Sequence, residues 1–444
     1  MKEIAIGLLG FGTVGTGVAR LLIDNREEIR SRLGADLRLR RVADIDTRTD
    51  RGVRLDDGVL VADAGAVVDD PEIDIIVEMI GGRTVARELM LRAIAAGKAV
   101  VTANKALLAG AGNEIFRAAA DRGVDLAYEA SVGGCMPIIK TLRESLVGNR
   151  IRSMTGILNG TCNYILSRIT DEGLPFATAL AEAQANGFAE ADPTLDVDGY
   201  DTAHKLAIIN ALAYGMEINL ADIYVEGISG ITPMDIGLAR QFGYKIKLLA
   251  ISKDRGEAVE ARIHPTMIPC ANPLSTVGAN LNAITVTGDA VGDIMLYGFG
   301  AGMMPTASAV VSDIVDLARN RMTGAEGRIP LLARPLDGIR PIPVLPVSEI
   351  TTNYYIRFSA LDRPGVLSSI AGILGEHGIS IKSVHQKGRR SQGAVPIVML
   401  SHLARERDVR AALAEIGRLD VVGDRPALIR IEDENGDIEA DDAE

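Results

Sequence analysis

The sequence predicts an α/β protein in three parts: a doubly wound parallel sheet, a mixed α/β domain and a C-terminal ferredoxin-like domain. Short apolar runs alternate with helical patterns through the first 130 residues, which is typical of parallel strands joined by crossover helices. From about Ser131 this alternation becomes irregular. Beyond a proline-rich stretch the predicted order is β-α-β-β-α-β, which indicates a ferredoxin-like unit.

The first domain is predicted to cover residues 1–130. Its five strands are short and apolar, and they cover residues 3–9, 37–43, 73–79, 99–102 and 125–128. One long helix over residues 14–33 is expected after the first strand. The chain is expected to return through the glycine-rich segment 298–302, so that about residues 300–325 complete this domain.

The remaining chain is predicted to divide into four segments. A mixed α/β domain covers residues 131–325, and a linker covers residues 326–350, because proline fixes φ and removes a backbone donor. The ferredoxin-like unit covers residues 351–432. The last segment, residues 433–444, is strongly acidic and is predicted to be disordered.

Composition argues against several classes of protein. The net charge of the 444 residues is −12, and much of it lies in the final stretch Glu432–Glu444, so no basic surface for nucleic acid is expected. The sequence has no uninterrupted apolar run of about 18 residues, so no membrane span is expected. Its N-terminus lacks the pattern of a signal peptide. Three widely spaced cysteines fit a reducing compartment better than disulfides or structural zinc. We therefore expect a cytoplasmic protein without nucleic-acid or membrane partners.

A dinucleotide-binding motif lies between the first predicted strand and helix. Gly10-Phe11-Gly12-Thr13-Val14-Gly15 matches G-x-G-x-x-G in the strand–turn–helix context that the motif requires. The first glycine permits the tight turn, the second lets the backbone approach the pyrophosphate, and the third lets strand and helix pack closely. The helix N-terminus then offers free N–H groups to the phosphates. We predict a Rossmann domain, with a glycine turn in an unrelated α/β protein as the alternative.

The sequence leaves the choice between NAD and NADP open. Asp44 and Asp46 end the second predicted strand, where an acid would bind the ribose hydroxyls of NAD, although Asp44 lies further from the glycines than usual. Arg40, Arg41 and Arg48 lie close enough in sequence to meet the 2′-phosphate of NADP.

Acidic residues crowd one run of the second domain, and a lysine follows them. The run extends from Glu190 to Asp201, and Lys205 lies four residues beyond Asp201, so the last two share a helix face. An exposed ion pair at a helix N-terminus is the structural alternative. A divalent-cation loop is another, but the spacing does not match an EF-hand. His204 points about 100° away from Lys205, and we expect it to serve packing or to lie at the surface.

Lys105 is the other candidate for chemistry. It follows the predicted strand 99–102, and open α/β sheets bind ligands at the carboxyl ends of their strands. Reduction of an aldehyde by hydride leaves an alkoxide that must be protonated. A lysine at the sheet edge or in the acidic run could supply that proton, although a solvent-facing role is the commoner one for a lysine at such an edge.

These segments together resemble the homoserine dehydrogenase family. The matching pieces lie within residues 4–310 and are Gly10–Gly15, Val101–Lys105, Tyr128–Pro137, Gly156–Tyr164, Gly187–Lys205 and Gly300–Ala307. The resemblance implies NAD(P)H-dependent reduction of L-aspartate 4-semialdehyde to L-homoserine, a step towards threonine, methionine and isoleucine. It also implies that residues 131–325 bind the substrate and dimerise, in a homodimer or homotetramer.

The resemblance further implies roles for individual residues. Lys105 and Lys205 would be catalytic, with Lys205 the proton donor, and Asp201 would orient the chemistry. Glu190 and Asp196 would bind the substrate amino group. The cofactor-binding residues would be Gly10, Phe11, Gly12, Thr13, Val14, Gly15, Asp44, Thr102, Lys105, Gly187 and Gly302. A monovalent cation, sodium in most members, would bind largely through backbone carbonyls at Glu129, Val132, Gly134 and Met136.

The C-terminal unit resembles an ACT domain through Asp362–Leu367 and Gly378–Ile381. The resemblance implies an amino-acid effector, for which threonine is expected, and free amides at a helix start suit its carboxylate. A structural dimerisation module is the alternative.

Two other functions remain possible from the residues alone. Another ACT-containing NAD(P)-dependent dehydrogenase, acting on a 2-hydroxy acid, would need an Arg, Glu and His set, and His264 has no matching partners in the sequence. A non-catalytic nucleotide-sensing regulator would not need the Glu190–Lys205 run, and it would be expected to carry a DNA-binding element that the sequence lacks.

Overall fold

The computed structural model describes residues 2–386, 394–423 and 425–433. A six-stranded parallel sheet forms the first part, in the order β3-β2-β1-β4-β5-β6. Its strands are β1 (Glu3–Leu9), β2 (Asp36–Ala43), β3 (Leu60–Val61), β4 (Ile75–Glu78), β5 (Ala99–Thr102) and β6 (Leu126–Ala127). Its helices are α1 (Thr13–Asp24), α2 (Arg26–Leu33), α3 (Ala64–Asp69), α4 (Thr84–Ala95) and α5 (Lys105–Arg122). The strand order reverses beside β1, the position at which such sheets bind dinucleotides.

The predicted helix over residues 14–33 is two helices. Asn25 leaves helical geometry, with φ −101° and ψ 18°, and separates α1 from α2. α1 buries a face against the sheet, whereas α2 is polar and buries only Leu33. β3 and α3 were not predicted, because a two-residue strand and a six-residue helix are too short to show a periodic pattern.

The middle part combines helices with an antiparallel sheet ordered β12-β11-β7-β9-β10. Its elements are α6 (Ile138–Lys140), β7 (Ile151–Ile157), α7 (Gly160–Glu172), α8 (Phe176–Ala185), α9 (Thr194–Val197), α10 (Tyr200–Tyr214), β8 (Tyr224–Val225), α11 (Pro233–Gln241), β9 (Tyr244–Asp254), β10 (Val259–Pro269), β11 (Leu281–Gly288) and β12 (Gly292–Phe299). The long helix α12 (Met303–Thr323) then packs on α1 of the first sheet, where residues 300–325 were expected to lie.

The C-terminal part has the predicted β-α-β-β-α-β order, with one short additional strand. Its elements are β13 (Thr351–Leu361), α13 (Val366–Glu376), β14 (Ile381–Gln386), β15 (Ala394–Ser401), β16 (Ala404–Arg405), α14 (Glu406–Ile416) and β17 (Ala427–Ile431). β17 pairs with β13 on one side and, in parallel, with β10 on the other. The C-terminal sheet therefore continues the antiparallel sheet of the middle part.

The predicted linker, residues 326–350, does not bridge a gap between separate bodies. Leu331, Leu332 and Val344 are buried. The Val259 amide donates to the carbonyl of Pro343 (2.9 Å), and the Leu345 amide donates to the carbonyl of Val259 (2.8 Å). Prolines interrupt regular structure here without preventing packing, since their carbonyl groups still accept hydrogen bonds.

Two expectations concern the chain as a whole. Within the described part of the chain, no helix is long and apolar enough to cross a membrane. The predicted disorder of residues 433–444 concerns residues that, apart from Asp433, lie outside the described ranges.

Candidate functional site

The glycine turn after β1 has the geometry of a phosphate-binding turn. Gly10 has φ +95°, and a Cβ there would lie 2.6 Å from backbone atoms of Met79. A Cβ on Gly15 would lie 2.0 Å from the Gly10 carbonyl oxygen, whereas the space beside Gly12 is open. α1 begins immediately afterwards without a side-chain cap or an acid in its first turn. Its first amides are therefore available to an anion.

Asp44 lies beside this turn, but its carboxylate already has partners. It accepts the Phe11 amide (2.6 Å) and the Asp46 amide (2.9 Å). The guanidinium of Arg51 lies 3.4 Å from its Oδ1 and 5.2 Å from the centre of the Phe11 ring. Arg51, which sequence reasoning did not single out, thus brings a positive charge to the position where a ribose would meet the acid.

The carboxyl ends of β4 and β5 form the next wall of the cleft. The Thr102 hydroxyl donates to buried Glu78 (2.6 Å), which also accepts the amides of Ile80 and Gly81 (both 2.9 Å). Asn104 caps α5 by accepting the Leu107 amide (3.1 Å). This cap starts α5 at Lys105, and 40% of that lysine side chain is exposed.

Asp201 brings the two candidate lysines together. Its Oδ1 lies 3.2 Å from Lys105 Nζ and its Oδ2 lies 2.7 Å from Lys205 Nζ. Lys205 also donates to the carbonyl of Leu158 (2.6 Å) and is buried. Burial opposes ionisation of Asp201, but the two ammonium groups outweigh it and hold its pKa below the ordinary value. Lys205 is therefore buried and only 12% of the Asp201 side chain is exposed, unlike the exposed ion pair that the sequence left as an alternative.

Asp196 lies one contact away from this group. Its carboxylate accepts the Asn159 side-chain amide (2.7 Å) and the Thr161 hydroxyl (3.2 Å). Burial and the charge of Asp201 raise the pKa of Asp196, and the two donors oppose that rise. Asn159 and Thr161 were not named as site residues by sequence reasoning. Both lie at the start of a helix and within the segment Gly156–Tyr164 that matches the family, and neither signal gave them a role.

Glu190 and Gly187 lie on the loop between α8 and α9. Glu190 is exposed, and among the described residues only its backbone carbonyl accepts a hydrogen bond, from the Gln184 side chain (3.1 Å). Gly187 has φ +72° just after α8, and Gly302 has φ +123° at the start of α12. The structure thus brings Lys105, Lys205 and Asp201 into direct contact, with Asp196 beside them, whereas the Glu190 carboxylate makes no contact with that cluster among the described residues.

His204 is buried, which agrees with the packing role expected for it. Its Nε2 lies 3.2 Å from Arg83 Nη2. Burial and the charge of Arg83 lower the His204 pKa, which favours the neutral ring.

The predicted cation loop is a tight turn between β6 and α6. Gly133 and Gly134 both have positive φ, and a Cβ on Gly134 would lie 2.6 Å from backbone atoms of Gly300. The Glu129 carboxylate accepts the amides of Ile139 (2.8 Å) and Lys140 (2.9 Å). Burial and nearby Asp313 raise the Glu129 pKa to about 8. Because this side chain caps α6, only backbone carbonyls of the loop remain to face a cation.

The turn that carries the effector expectation lies between β13 and α13. Gly365 has φ +91° and precedes α13, which has no side-chain cap. Its free amides suit a carboxylate.

Comparisons with known proteins agree with the site and the fold. Three family models match: "Homoserine dehydrogenase, NAD binding domain" at residues 10–129, "Homoserine dehydrogenase" at residues 137–315 and "ACT domain" at residues 354–421. A homoserine dehydrogenase of Neisseria gonorrhoeae is 45% identical over 432 residues, covering 97% of this chain and 99% of the relative.

Solved structures give the same result. A crystal structure of a homoserine dehydrogenase from Thiobacillus denitrificans has a TM-score of 0.92 at 47% identity, covering 98% of this chain and 99% of that one. A hyperthermophilic archaeal homoserine dehydrogenase in complex with NADPH has a TM-score of 0.60 at 25% identity, covering 71% of this chain and 97% of that one. The 2-hydroxy-acid dehydrogenase and the non-catalytic regulator are therefore set aside. The chain belongs to the homoserine dehydrogenase family and is an NAD(P)-dependent oxidoreductase.

Proposed function

We propose that the chain catalyses reversible reduction of L-aspartate 4-semialdehyde to L-homoserine at the cleft between the parallel sheet and α10. The observation that carries the proposal is the contact of one carboxylate with two lysines. The two oxygens of Asp201 bind Lys105, which follows β5, and Lys205, which lies on α10 with Asp201. Beside them lie carboxylates suited to an ammonium group. An amino-acid aldehyde needs both features: proton donors at the carbonyl and acids at the amine.

Lys205 is the proposed proton donor in reduction and acceptor in oxidation. An ammonium has three N–H groups, and Lys205 directs one to Leu158 and one to Asp201. The third remains for the substrate oxygen. Lys105 is held by the other carboxylate oxygen of Asp201 and lies nearer solvent. We therefore assign Lys105 to orienting the substrate oxygen that Lys205 protonates. A positioned general acid of this kind contributes about 10²–10⁴ in rate.

The cofactor would lie along the glycine turn. When bound, NAD(P)H supplies the hydride. The amides that start α1 would meet its pyrophosphate, and Asp44, Thr102, Gly187 and Gly302 would line the remaining cleft. Asp44 favours NAD and Arg51 favours NADP, so we propose that both are used. NADPH is bound by the archaeal relative.

The substrate amino group is proposed to lie between Glu190 and Asp196. Asp196 is fixed by Asn159 and Thr161, whereas Glu190 is exposed, so we expect Glu190 to move when the substrate binds.

A monovalent cation, sodium by resemblance, is proposed at the turn of Glu129, Val132, Gly134 and Met136. The fit is partial, because the Met136 carbonyl already accepts the Ile138 amide (2.8 Å). Within the described residues, no cluster of three or more His, Cys, Asp or Glu suggests a metal, so backbone carbonyls would carry the site. Activity in sodium, potassium and tetramethylammonium chlorides tests the requirement; equal rates in all three would contradict it.

Threonine is the proposed effector, bound at the turn Asp362–Leu367, and the product homoserine would feed threonine, methionine and isoleucine synthesis. We also propose a cytoplasmic homodimer or homotetramer. Inhibition by threonine should weaken in Asp362→Ala and persist in Asp408→Ala, a matched change at a half-exposed position of α14. Equal inhibition of the wild type and both variants would contradict the assignment of the threonine site to this turn.

The experiment that tests the reaction is L-homoserine-dependent reduction of NAD+ and NADP+, followed at 340 nm. L-Lactate and L-malate serve as 2-hydroxy-acid controls. We expect turnover with homoserine alone. Faster turnover with a 2-hydroxy acid would contradict the proposed substrate.

A further inference from the structure

Asn159 occupies the junction between β7 and α7, inside the wall of the cleft. The residue is 4% exposed. Its Oδ1 accepts the Cys162 amide (2.8 Å) and so caps α7. Its Nδ2 donates to Asp196 Oδ1 (2.7 Å) and to Asp201 Oδ2 (3.0 Å). One neutral amide therefore joins the carboxylate assigned to substrate binding with the one assigned to the lysines.

The surroundings fix the orientation of this amide. The Cys162 N–H requires an oxygen, and two ionised carboxylates require donors, so a flipped amide would lose all three bonds. The preceding residue contributes as well, since the Leu158 carbonyl accepts Lys205 Nζ (2.6 Å). Two consecutive residues after β7 thus hold Lys205, Asp201 and Asp196.

The charged groups that face Asn159 come from three helices. They are Asp196 of α9, Asp201 and Lys205 of α10, and Lys105 of α5, which reaches Asp201 from the far side. The two lysines neutralise Asp201, but no described cation pairs with Asp196. Until a substrate ammonium arrives, the hydrogen bonds from Asn159 and Thr161, together with the nearby charge of Lys205, stabilise ionised Asp196.

We propose that Asn159 is a positioning residue, which sets the separation of Asp196 and Asp201 and keeps both ionised before the substrate binds. This inference rests on the proposed function, because it takes Asp196 as a substrate ligand. No contact of Asn159 with substrate is required. Its effect passes through the two carboxylates.

Two substitutions separate this role from helix capping. Ser and Asp cap helices about as well as Asn, so Asn159→Ser and Asn159→Asp both retain a cap. N159S removes the amide N–H groups that reach the two carboxylates, shortens the side chain and adds no charge. N159D adds a third carboxyl group to the pair, and adjacent carboxylates share protons because they cannot all ionise. Asn272→Asp is the matched control, since Asn272 caps a short turn by accepting the Leu274 amide (2.9 Å).

We expect N159S to lower kcat/KM for homoserine about 10–100-fold, the usual loss when a partner that orients a site residue is removed, with the KM for NAD(P)+ within twofold. For N159D the activity relative to wild type should rise as pH falls, because protonation restores one donor. The N159S ratio should instead fall as pH falls, because its carboxylates lose the donor that favours their ionised forms. Thermal unfolding and NAD(P)H binding verify that each variant is folded.

Carbon-13 NMR of labelled aspartate carboxyls gives a readout without turnover. At pH 7 it should detect a protonated carboxyl in N159D, and none in N159S or N272D. Wild type inactive on homoserine would refute the proposed function and leave the NMR result to decide the role of Asn159. Active wild type with both variants within threefold of it, or no protonated carboxyl in N159D, would overturn the positioning role alone.

Discussion

Two buried clusters of charge, one in the cleft and one where the C-terminal unit joins the middle sheet, differ in how completely they are paired. At the junction, Arg430 is 1% exposed and donates to Glu406 by two bonds (2.9 and 2.6 Å). Arg262 likewise pairs with Glu260 and Glu432. In the cleft, 12% of the Asp201 side chain is exposed, Lys205 has one N–H without a partner among the described residues, and Lys105 is 40% exposed.

The difference separates charges that hold the fold from charges that we propose to bind a ligand. The junction cluster is closed, because every charged group has protein partners, as burial demands. The cleft cluster is open towards the loop between α8 and α9, which carries Glu190. Both contain similar residues, so residue type alone would not distinguish them, whereas unused hydrogen-bonding capacity does.

The largest expected effect comes from exchanging a lysine in each cluster. Lys205→Met should lower kcat about 10²–10⁴-fold through loss of the general acid–base group, with NAD(P)H affinity retained. Lys253→Met removes a junction lysine that pairs with Glu432 (2.6 Å) and should change kcat less than twofold while lowering the melting temperature. Steady-state kinetics of both proteins measure this; a K205M enzyme with more than a tenth of the wild-type kcat would remove Lys205 from the mechanism.

Breaking the junction should affect stability rather than turnover. Arg430→Leu leaves buried Glu406 with fewer partners, and removing one partner of a buried ion pair costs about 3–5 kcal/mol in the free energy of unfolding. Arg407→Leu is the control, because that arginine is exposed and lies 3.4 Å from Glu349, and such pairs contribute about 0–1 kcal/mol. Urea unfolding measures the loss in the free energy of unfolding for each variant. Equal losses for the two variants would contradict the structural role of the junction.

Glu190 tests the open side of the cleft. Glu190→Gln should raise the KM for homoserine about 10–100-fold, because a hydrogen bond to a charged group contributes about 1.5–3 kcal/mol, and leave the KM for NAD(P)+ nearly unchanged. Asp192→Asn is the matched control on the same loop, since its carboxylate already accepts the Thr194 hydroxyl (2.5 Å). Parallel changes in both KM values would make Glu190 structural.

The smallest effect concerns acid stability. Burial opposes ionisation of Glu432, but Arg262 and Lys253 outweigh it and lower its pKa to about 2. A carboxylate with a lowered folded-state pKa stabilises the protein above its unfolded value, and that contribution is lost as pH falls towards the folded value. The stability advantage of wild type over Glu432→Gln should therefore shrink below about pH 4.5. Melting curves measure it, with exposed Glu376→Gln as control; a constant difference would contradict the closed pairing.

Sequence reasoning succeeded where the signal was local. The glycine turn and the Asp201–Lys205 pair depend on neighbours within a few residues, and the structure has both as predicted. The contact of Lys105 with Asp201 joins distant segments, and only the family resemblance had grouped those residues. Asn159 was missed because the sequence pattern of a helix-capping asparagine is the same whether or not its side-chain amide also faces a carboxylate.

Local sequence patterns also could not predict the junction, because it joins segments that are distant in sequence. The parallel pairing of β10 with β17 needs two strands more than 150 residues apart, and the prolines of residues 326–350 suggested separation instead. Deleting the C-terminal unit would leave Arg262 without Glu432 and Asp235 without Arg357. Point substitutions, rather than truncation, are thus the appropriate tests of regulation.

The most direct test of the account is chemical rescue of the missing amine. Lys205→Ala should be folded, bind NAD(P)H and oxidise homoserine very slowly. Added ethylamine should restore turnover in proportion to its concentration, because the free amine would enter the vacated space and accept the proton. Lys253→Ala should show no response. A folded K205A that stays inactive at every amine concentration, or one that needs no rescue, would contradict the assignment of proton transfer to Lys205.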